Sequence, residues 1–398
     1  MTFLYDIINL EFVLVIYFLI VFYLRLDILR SFLIAGHLMA IFLLNNVLFE
    51  VSYWPDQIQY LKSAQQIRES IAYIPLSVIF ERFGSKIAMS GVVFAFSPLP
   101  FINSVQSIAM INFLFYLLSF IYLRKKGISS NSIDFFFLLY PSFLLYSSLA
   151  LREILILVFM ILILYFIIVE EKRLTAFILA LPLAIIKIQN FLILVLAYIV
   201  YLFLRKRSFQ RYLIFFGGGL LVILFGNHIP LINVFFERID YYRWNLIAEN
   251  FGYNWNFMGG YDYQPFVSGF SIIPLVIKSF VYMLLKPFPW EVTNLVQLIQ
   301  SVENIFIIAL IVWVVKKKIF MPIIKRKLLF LNILLVLSMT IYGLVTFNFG
   351  TAARFRFPFI VIYLVFYFYL LKLDKLISKQ LSKKFSSQHL SLHRLKIP

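Results

Sequence analysis

Charged residues are scarce in this chain, and cysteine is absent. Only 14% of the 398 residues are Asp, Glu, Lys or Arg. Soluble domains carry about 25%. The lack of cysteine excludes disulfide bonds and thiol chemistry. The four histidines are scattered without ligand spacing, so we expect neither a tightly held metal nor another cofactor. A loosely bound divalent cation held by carboxylates stays open as an alternative.

Apolar residues make up most of what is present. The hydrophobic fraction is 63%, against about 45–50% in soluble domains. No soluble core could bury so much apolar surface, whereas a bilayer acts as an apolar solvent for it. The apolar residues form long continuous runs, which indicates helices. We therefore predict an all-α fold, namely a polytopic transmembrane helical bundle.

The number of spans follows from the lengths of the apolar runs. A spanning helix needs roughly 17–25 residues, and the runs then predict about eleven to thirteen spans, of which 133–150 and 212–232 are two. Segment 70–103 is ambiguous, either two short spans or amphipathic and re-entrant pieces. We expect further short helices of that kind at the outer face. The whole of 1–371 is predicted to be one transmembrane domain.

Basic clusters predict the orientation in the membrane. Runs such as Arg124-Lys125-Lys126 and Lys316-Lys317-Lys318 flank the spans, and cytoplasmic loops of membrane proteins are rich in Lys and Arg. The net charge of +18 therefore indicates topology, and we expect no nucleic-acid partner. The N-terminus is predicted outside a bacterial inner membrane. Residues 372–398 form a basic cytoplasmic tail, and 49–69 and 233–302 are the large outer segments.

Asp56 is the central acidic residue of the first outer segment. It stands in Trp54-Pro55-Asp56-Gln57-Ile58-Gln59-Tyr60, just beyond a predicted span. A carboxylate in that position could act as a general base. It could equally cap the helix that begins there, since Asp is a preferred N-cap residue. Tyr60 is a candidate contact for sugar or acceptor.

Arg152 and Glu153 form a second candidate at the start of an apolar span. Glu153 suits a helix N-terminus, whereas Arg152 does not, so we expect an anionic partner for it. The planar guanidinium is well suited to phosphate. A structural ion pair of modest energy is the alternative.

Three further cations are predicted on the outer side. Arg354 and Arg356 stand in Asn348-Phe349-Gly350-Thr351-Ala352-Ala353-Arg354-Phe355-Arg356-Phe357-Pro358, which we predict to be a tight loop before the last span. No acidic residue lies near them in sequence, and phosphate or pyrophosphate would neutralise them. Lys187 lies in a turn between uncharged spans. It could reach the same cavity, or extend to the membrane interface.

The long outer segment 233–302 holds the remaining candidates. Arg238 and Arg243 are cations on the same predicted face. The turn Lys286-Pro287-Phe288-Pro289-Trp290-Glu291 presents Trp290, whose ring could hold a sugar or lie at the interface. We take Arg238, Arg243, Trp290 and Glu153 as possible sugar or acceptor contacts.

These motifs together resemble the GT-C superfamily of membrane glycosyltransferases. The resemblance rests on the outer Asp, the Pro-Ser, Tyr-Ser and Arg-Glu series, the Pro-Phe-Pro-Trp turn and the late Gly-Thr-x-x-Arg-x-Arg. Within that superfamily the chain is most similar to Wzy-type polymerases of O-antigen and other surface polysaccharides. The resemblance implies that Asp56 is the catalytic carboxylate and that Arg152, Arg354 and Arg356 hold the donor's phosphates. The single outer Asp departs from the paired acidic motif of metal-dependent members.

The resemblance implies a polymerase of polyprenyl-pyrophosphate-linked repeat units. Its partners would be polyprenyl-linked sugars or oligosaccharides and membrane lipid, with a chain-length regulator as a further possible partner. One alternative is a transferase that adds a single sugar from polyprenyl phosphate. A flippase or transporter of lipid-linked oligosaccharide is the alternative from another class, although such proteins tend to have internal repeats and no repeat is found.

Overall fold

The fold is helical throughout the part of the chain that the structure describes. The computed structural model describes residues 2–45, 47–50, 54–70, 73, 75–205, 208–251, 266, 269–346 and 348–394. Within those ranges every regular secondary-structure element is a helix, and no strand is present. The chain divides into two compact units, residues 1–192 and residues 193–398. The predicted all-α class is confirmed.

The first unit is built from the helices α1 to α10. Their bounds are α1 Thr2–Leu24, α2 Ile28–Leu44, α3 Asp56–Ser70, α4 Leu76–Phe83, α5 Ser85–Ala95, α6 Val105–Lys125, α7 Asn131–Leu139, α8 Pro141–Ser148, α9 Glu153–Leu164 and α10 Arg173–Ile186. A π-helical turn, Tyr165–Val169, extends α9. Helix α6 packs against α1, α2, α8 and α9, and 72% of its most apolar 18-residue stretch is buried. Its buried face makes α6 the centre of this unit.

Ion pairs hold the basic end of the first unit together. Asp134, buried near the start of α7, forms ion pairs through Oδ2 with Arg30 Nε, 3.2 Å away, and with Arg124 Nη2, 3.3 Å away. The Ser129 hydroxyl also donates to this carboxylate. Arg30 is paired a second time, with Asp27, the N-cap of α2. One carboxylate therefore ties the ends of α2, α6 and α7.

The π-helical turn ends in a polar cluster. The Tyr165 hydroxyl donates to Glu170 at 2.5 Å, and Lys172 lies 3.1 Å from the same carboxylate. These two contacts, the tyrosine first, lower the pKa of Glu170.

The second unit contains the helices α12 to α17, and α11 leads into it. Their bounds are α11 Ile188–Leu204, α12 Phe209–Phe225, α13 Pro230–Phe251, α14 Ile272–Leu285, α15 Leu295–Val315, α16 Pro322–Val345 and α17 Phe349–Arg394. A 3₁₀ turn, Gly226–His228, separates α12 from α13. Helix α16 packs against α13, α14 and α17. The predicted span 212–232 therefore ends at Phe225, and the predicted tail begins inside α17.

Two contacts explain how α16 is held in the second unit. A methyl group at Gly343 would lie 2.1 Å from the carbonyl oxygen of Ser279 on α14, so only glycine permits this approach. At the other end, Asp374 of α17 accepts from the backbone N–H of Met321 at 2.8 Å. That carboxylate caps the N-terminus of α16 in place of a local residue.

The apolar helices are compatible with a multi-pass membrane protein. Among the residues that the structure describes, four helices are long and apolar enough to span a bilayer, namely 3–24 of α1, α6, α15 and α16, and the bent pair α8–α9 would make a fifth. Six shorter apolar helices accompany them, among them α2, α10 and α14. Predicted span 133–150 is divided at Tyr140 into α7 and α8. The eleven to thirteen spans and their orientation stay a prediction.

Candidate functional site

A sharp break between α8 and α9 is the main irregular feature of the first unit. The two helices are bent by 116° across residues 149–152. The Asn112 amide of α6 donates to the carbonyl oxygens of Leu149 at 2.7 Å and Leu151 at 2.5 Å. The Gln57 amide oxygen accepts from the N–H of Ala150 at 2.8 Å. Side chains from α3 and α6 thus satisfy backbone groups that a helix would have paired.

Helix α8 is held at the break by polar contacts with α2. The Ser148 hydroxyl donates to the carbonyl oxygen of His37 at 3.0 Å. The His37 ring is hydrogen-bonded to the Ser147 hydroxyl at 2.8 Å and stacks on Tyr116 of α6. Asn45 donates to the Ser148 carbonyl at 2.8 Å. The end of α8 is therefore fixed in place, and the break is a built feature of the unit.

Arg152 is the N-cap of α9 and reaches across to α10. Its Nη1 donates to the carbonyl oxygen of Ile186 at 3.0 Å, and its guanidinium lies 5.9 Å from the centre of the Tyr60 ring. Nε of Arg152 is buried and makes no hydrogen bond with the residues that the structure describes. A cation at a helix N-terminus opposes the helix dipole. Buried Glu153 follows as the first residue of α9.

Lys187 lies beside this arginine, in the interruption between α10 and α11. Its side chain is buried, and it directly follows Ile186, whose carbonyl accepts from Arg152. One turn on, the buried Asn190 amide contacts the Met160 sulfur of α9 at 3.4 Å. Two predicted cation sites that are far apart in sequence are therefore neighbours.

Asp56 is the first residue of α3, and it is partly buried. The next residue, Gln57, bonds the break, and Tyr60, one turn later, faces Arg152. The first turn of α3 thus packs on the break. A carboxylate in a first helical turn is also favoured by the helix dipole, so the structural and the catalytic interpretations of Asp56 both stand.

These contacts define one candidate site in the first unit. We call it the break site and define it as Asp56, Tyr60, Arg152, Glu153 and Lys187. All five were predicted from sequence, in three separate motifs. Sequence reasoning missed the polar supports Asn112 and Gln57, although an Asn within a long apolar helix would have indicated the first of them.

Arg356 lies in the second unit and is buried against the end of α14. Its Nη1 donates to the carbonyl oxygens of Lys286 at 3.0 Å and Met283 at 3.2 Å. Asn304 of α15 donates to the Lys286 carbonyl as well, at 3.0 Å. Both side chains cap carbonyls that the helix leaves unpaired. Nη2 of Arg356 is buried without a hydrogen-bond partner among the described residues.

The neighbouring turn is held by a buried ion pair. Lys286 Nζ lies 2.7 Å from Glu291 and 4.2 Å from the centre of the Tyr282 ring. Glu291 also accepts from the Phe288 N–H at 3.0 Å. Trp290 is 79% exposed and stacks on Phe288 at 4.9 Å. The turn therefore presents this predicted sugar contact in a defined orientation.

The remaining predicted cations have different surroundings. Arg243 is buried and donates to the Leu344 carbonyl at 2.5 Å, whereas Arg238 is exposed. Arg354 is partly buried in α17. The predicted tight loop before the last span is helical from Phe349 onward, which places Arg354 and Arg356 on helical turns.

Metal binding and similarity to known proteins complete the description of the site. Within the described ranges no group of three His, Asp or Glu side chains could hold a metal ion. The absence of a cofactor stays a prediction. No protein-family model, curated protein or solved structure matches the chain. The fold and site define a class, a helical protein with the apolar helices of a multi-pass membrane protein.

Proposed function

We propose that the chain is an integral membrane glycosyltransferase of surface polysaccharide biosynthesis. It would polymerise polyprenyl-pyrophosphate-linked repeat units at the outer face of a bacterial inner membrane. The observation that carries the proposal is the break site, where a carboxylate, two cations and an aromatic ring from three separate segments lie beside an interrupted helix. That combination matches what transfer from a phosphate-linked sugar requires.

The chemistry assigns one role to the carboxylate. Asp56 accepts the proton of the acceptor hydroxyl while the hydroxyl oxygen attacks the anomeric carbon of the donor sugar. The new bond joins that oxygen to the sugar, and the bond from the sugar to the phosphate oxygen breaks. The electron pair leaves with polyprenyl pyrophosphate. A base positioned in this way contributes about 10²–10⁴-fold to a rate.

The cations serve the leaving group. Negative charge develops on the phosphate oxygen as the glycosidic bond breaks, and positive charge aimed there stabilises the transition state. Nε of Arg152 makes no hydrogen bond with any residue that the structure describes, and the side chain is held in place by its bond to Ile186. Lys187 lies beside it and is largely shielded from solvent, which strengthens its electrostatic effect.

By the resemblance alone, Arg354 and Arg356 of the second unit are candidate phosphate contacts, considered apart from the break site. Nη2 of Arg356 is buried without a hydrogen-bond partner among the described residues, and Arg354 lies two residues earlier in the same helix. Because Arg356 also has a structural role, loss of activity on its replacement needs a stability control.

A single-sugar transferase that uses polyprenyl phosphate would employ the same groups. The leaving group would carry one phosphate instead of two, and the roles of Asp56 and Arg152 would not change. The two activities differ in product, which is a polymer ladder in one case and one added sugar in the other.

A flippase or transporter for lipid-linked oligosaccharide is the candidate from a second class. The 116° break between α8 and α9 favours it, because transporters often bind substrate at interrupted helices. In that role Arg152 and Lys187 would bind the pyrophosphate during translocation, and Asp56 would have no chemical step to perform.

The test is a gel of surface glycan from cells that lack the chain, complemented with wild type, Asp56→Asn or Glu69→Gln. Glu69 is an exposed carboxylate on the last turn of the same helix and serves as the matched control. We expect a ladder with wild type and Glu69→Gln, and single repeat units with Asp56→Asn at equal protein level. A full ladder with Asp56→Asn contradicts the assigned base.

The same strains separate the alternatives, when the sidedness of lipid-linked repeat units is measured beside the surface-glycan gel. A complete ladder that lacks one sugar in the deletion strain indicates the single-sugar transferase. Accumulation of lipid-linked repeat units on the cytoplasmic side of the deletion strain indicates the transporter.

A further inference from the structure

A groove lies at the C-terminal end of α1, in the first unit. Its volume is about 840 Å³, and Phe22, Tyr23 and Arg25 are among the residues that line it. The apolar side chains Phe18, Leu19 and Phe22 lead towards it along one exposed face of α1, since residues three and four apart share a helix face. An apolar strip thus ends in a groove that contains a cation.

A second cation, Lys125, contacts Tyr23 in the lining of the groove. Nζ of Lys125, the last residue of α6, is 4.7 Å from the centre of the Tyr23 ring. Arg25 and Lys125 are both exposed, so their charges are available to a ligand. The nearest acidic residue in sequence, Asp27, is already engaged by Arg30. The polar end of the groove therefore carries positive charge and the hydroxyl of an exposed tyrosine.

We propose that this groove binds an anionic glycerophospholipid. Arg25 and Lys125 contact the phosphate, and an acyl chain lies along Phe18, Leu19 and Phe22. The strip and the charges each exclude other occupants: a free anion would leave the strip uncovered, and a zwitterionic headgroup would not neutralise two cations. The site is separate from the break site and takes no part in glycosyl transfer.

The variants can remove charge without disturbing the backbone. Arg25 has φ 49°, in the left-handed region, which Asn adopts more readily than most residues. Arg25→Asn therefore removes the guanidinium without adding strain. Lys125→Gln keeps a good helix former at the end of α6. Lys317→Gln is the matched control, because the Lys317 ammonium also lies over an aromatic ring, 4.4 Å from the centre of Trp313.

The experiment measures lipid retained by the purified full chain. The protein in mild detergent is offered equal amounts of phosphatidylglycerol and phosphatidylcholine, and bound lipids are counted by native mass spectrometry. Wild type should retain phosphatidylglycerol in preference. Each juxtamembrane cation contributes roughly fivefold to binding of anionic lipid, so Arg25→Asn/Lys125→Gln should lose about 25-fold. Lys125→Gln alone should lose about fivefold if the double variant does not fold.

Several results would overturn the proposal. They are equal retention of the two lipids by wild type, an unchanged preference in the double variant, and an equal loss in Lys317→Gln. If inorganic phosphate fully displaces the bound phosphatidylglycerol, the groove is only an anion site. If polyprenyl phosphate competes for the groove more strongly than phosphatidylglycerol does, the groove belongs to the carrier lipid. The surface-glycan ladder does not depend on these residues, so this test and that of the transferase fail independently.

Discussion

Arg152 donates a hydrogen bond to the carbonyl oxygen of Ile186, 3.0 Å away. The contact joins the break before α9 to the interruption after α10. It brings the arginine beside Lys187, a residue 35 positions further along the chain. The two helix interruptions therefore lie next to each other, and each contributes one cation. This arrangement is the strongest reason to propose phosphate binding in the first unit.

Two replacements of Arg152 should distinguish the contribution of its positive charge from that of its planar guanidinium. Arg152→Ala should lower the rate of glycan transfer by about 10²-fold, in line with removal of one preorganised donor from a transition state. Arg152→Lys keeps the charge but not the planar fork, so it should restore only part of the rate. The measurement is product formed from lipid-linked donor in proteoliposomes. Arg173→Ala, at the exposed start of α10, is the control and should retain the wild-type rate.

Asn112 should be essential to the break. Asn112→Ala leaves the carbonyls of Leu149 and Leu151 without their donor, and each buried unsatisfied group costs about 1–3 kcal/mol. We expect a clear fall in the thermal unfolding midpoint in detergent. Ser119→Ala on the same helix removes only a bond to the carbonyl of Phe115 within α6. A similar fall in both variants would mean that Asn112 has no special role.

Asp134 should be the critical member of its ion-pair cluster. Asp134→Ala leaves Arg30 and Arg124 without their shared partner, and removing one partner of a buried pair costs about 3–5 kcal/mol. Asp27 is 53% exposed and also caps α2, so Asp27→Asn, which keeps the cap, should cost about 1 kcal/mol or less for the lost ion pair. Unfolding midpoints of the two variants give the comparison. Equal losses would contradict the central role of Asp134.

Gly343 should not tolerate a side chain. Gly343→Ala places a methyl group 2.1 Å from the Ser279 carbonyl oxygen, so α14 and α16 must move apart at a cost of about 1–3 kcal/mol or more. Gly219→Ala is the control, because a methyl group there meets nothing within 4 Å. That change should leave stability unchanged or raise it by up to about 1 kcal/mol through helix propensity. An unaltered midpoint for Gly343→Ala would argue against this close approach.

Arg356 and Asn304 distinguish capping from phosphate binding. Both donate to the Lys286 carbonyl, so Arg356→Ala and Asn304→Ala should both lower the unfolding midpoint. Only Arg356→Ala should also abolish polymer per folded molecule, because only Arg356 is assigned to the donor's phosphate. Glycan formed is therefore normalised to folded protein at a temperature where both variants are intact. Equal specific activities would leave Arg356 with the cap alone.

The sequence by itself determined the helical class and most of the candidate residues. Long continuous apolar runs with few charges cannot remain in water, so their helical nature is dictated locally. Cations such as Arg152 and Arg356 are conspicuous in such runs because of their cost in an apolar medium. Composition and spacing suffice for conclusions of this kind, which require no knowledge of distant contacts.

The tertiary structure alone decided which residues meet. The run 133–150 is predominantly apolar, yet it is divided into α7 and α8, and α8 in turn ends at the break that Asn112 and Gln57 support. In the sequence Arg356 is a cation next to an apolar run, whereas in the structure it caps carbonyl groups at the end of α14. Hydrogen bonds between distant segments replace the helical pattern at these points, and their energies depend on packing that no local window of sequence contains.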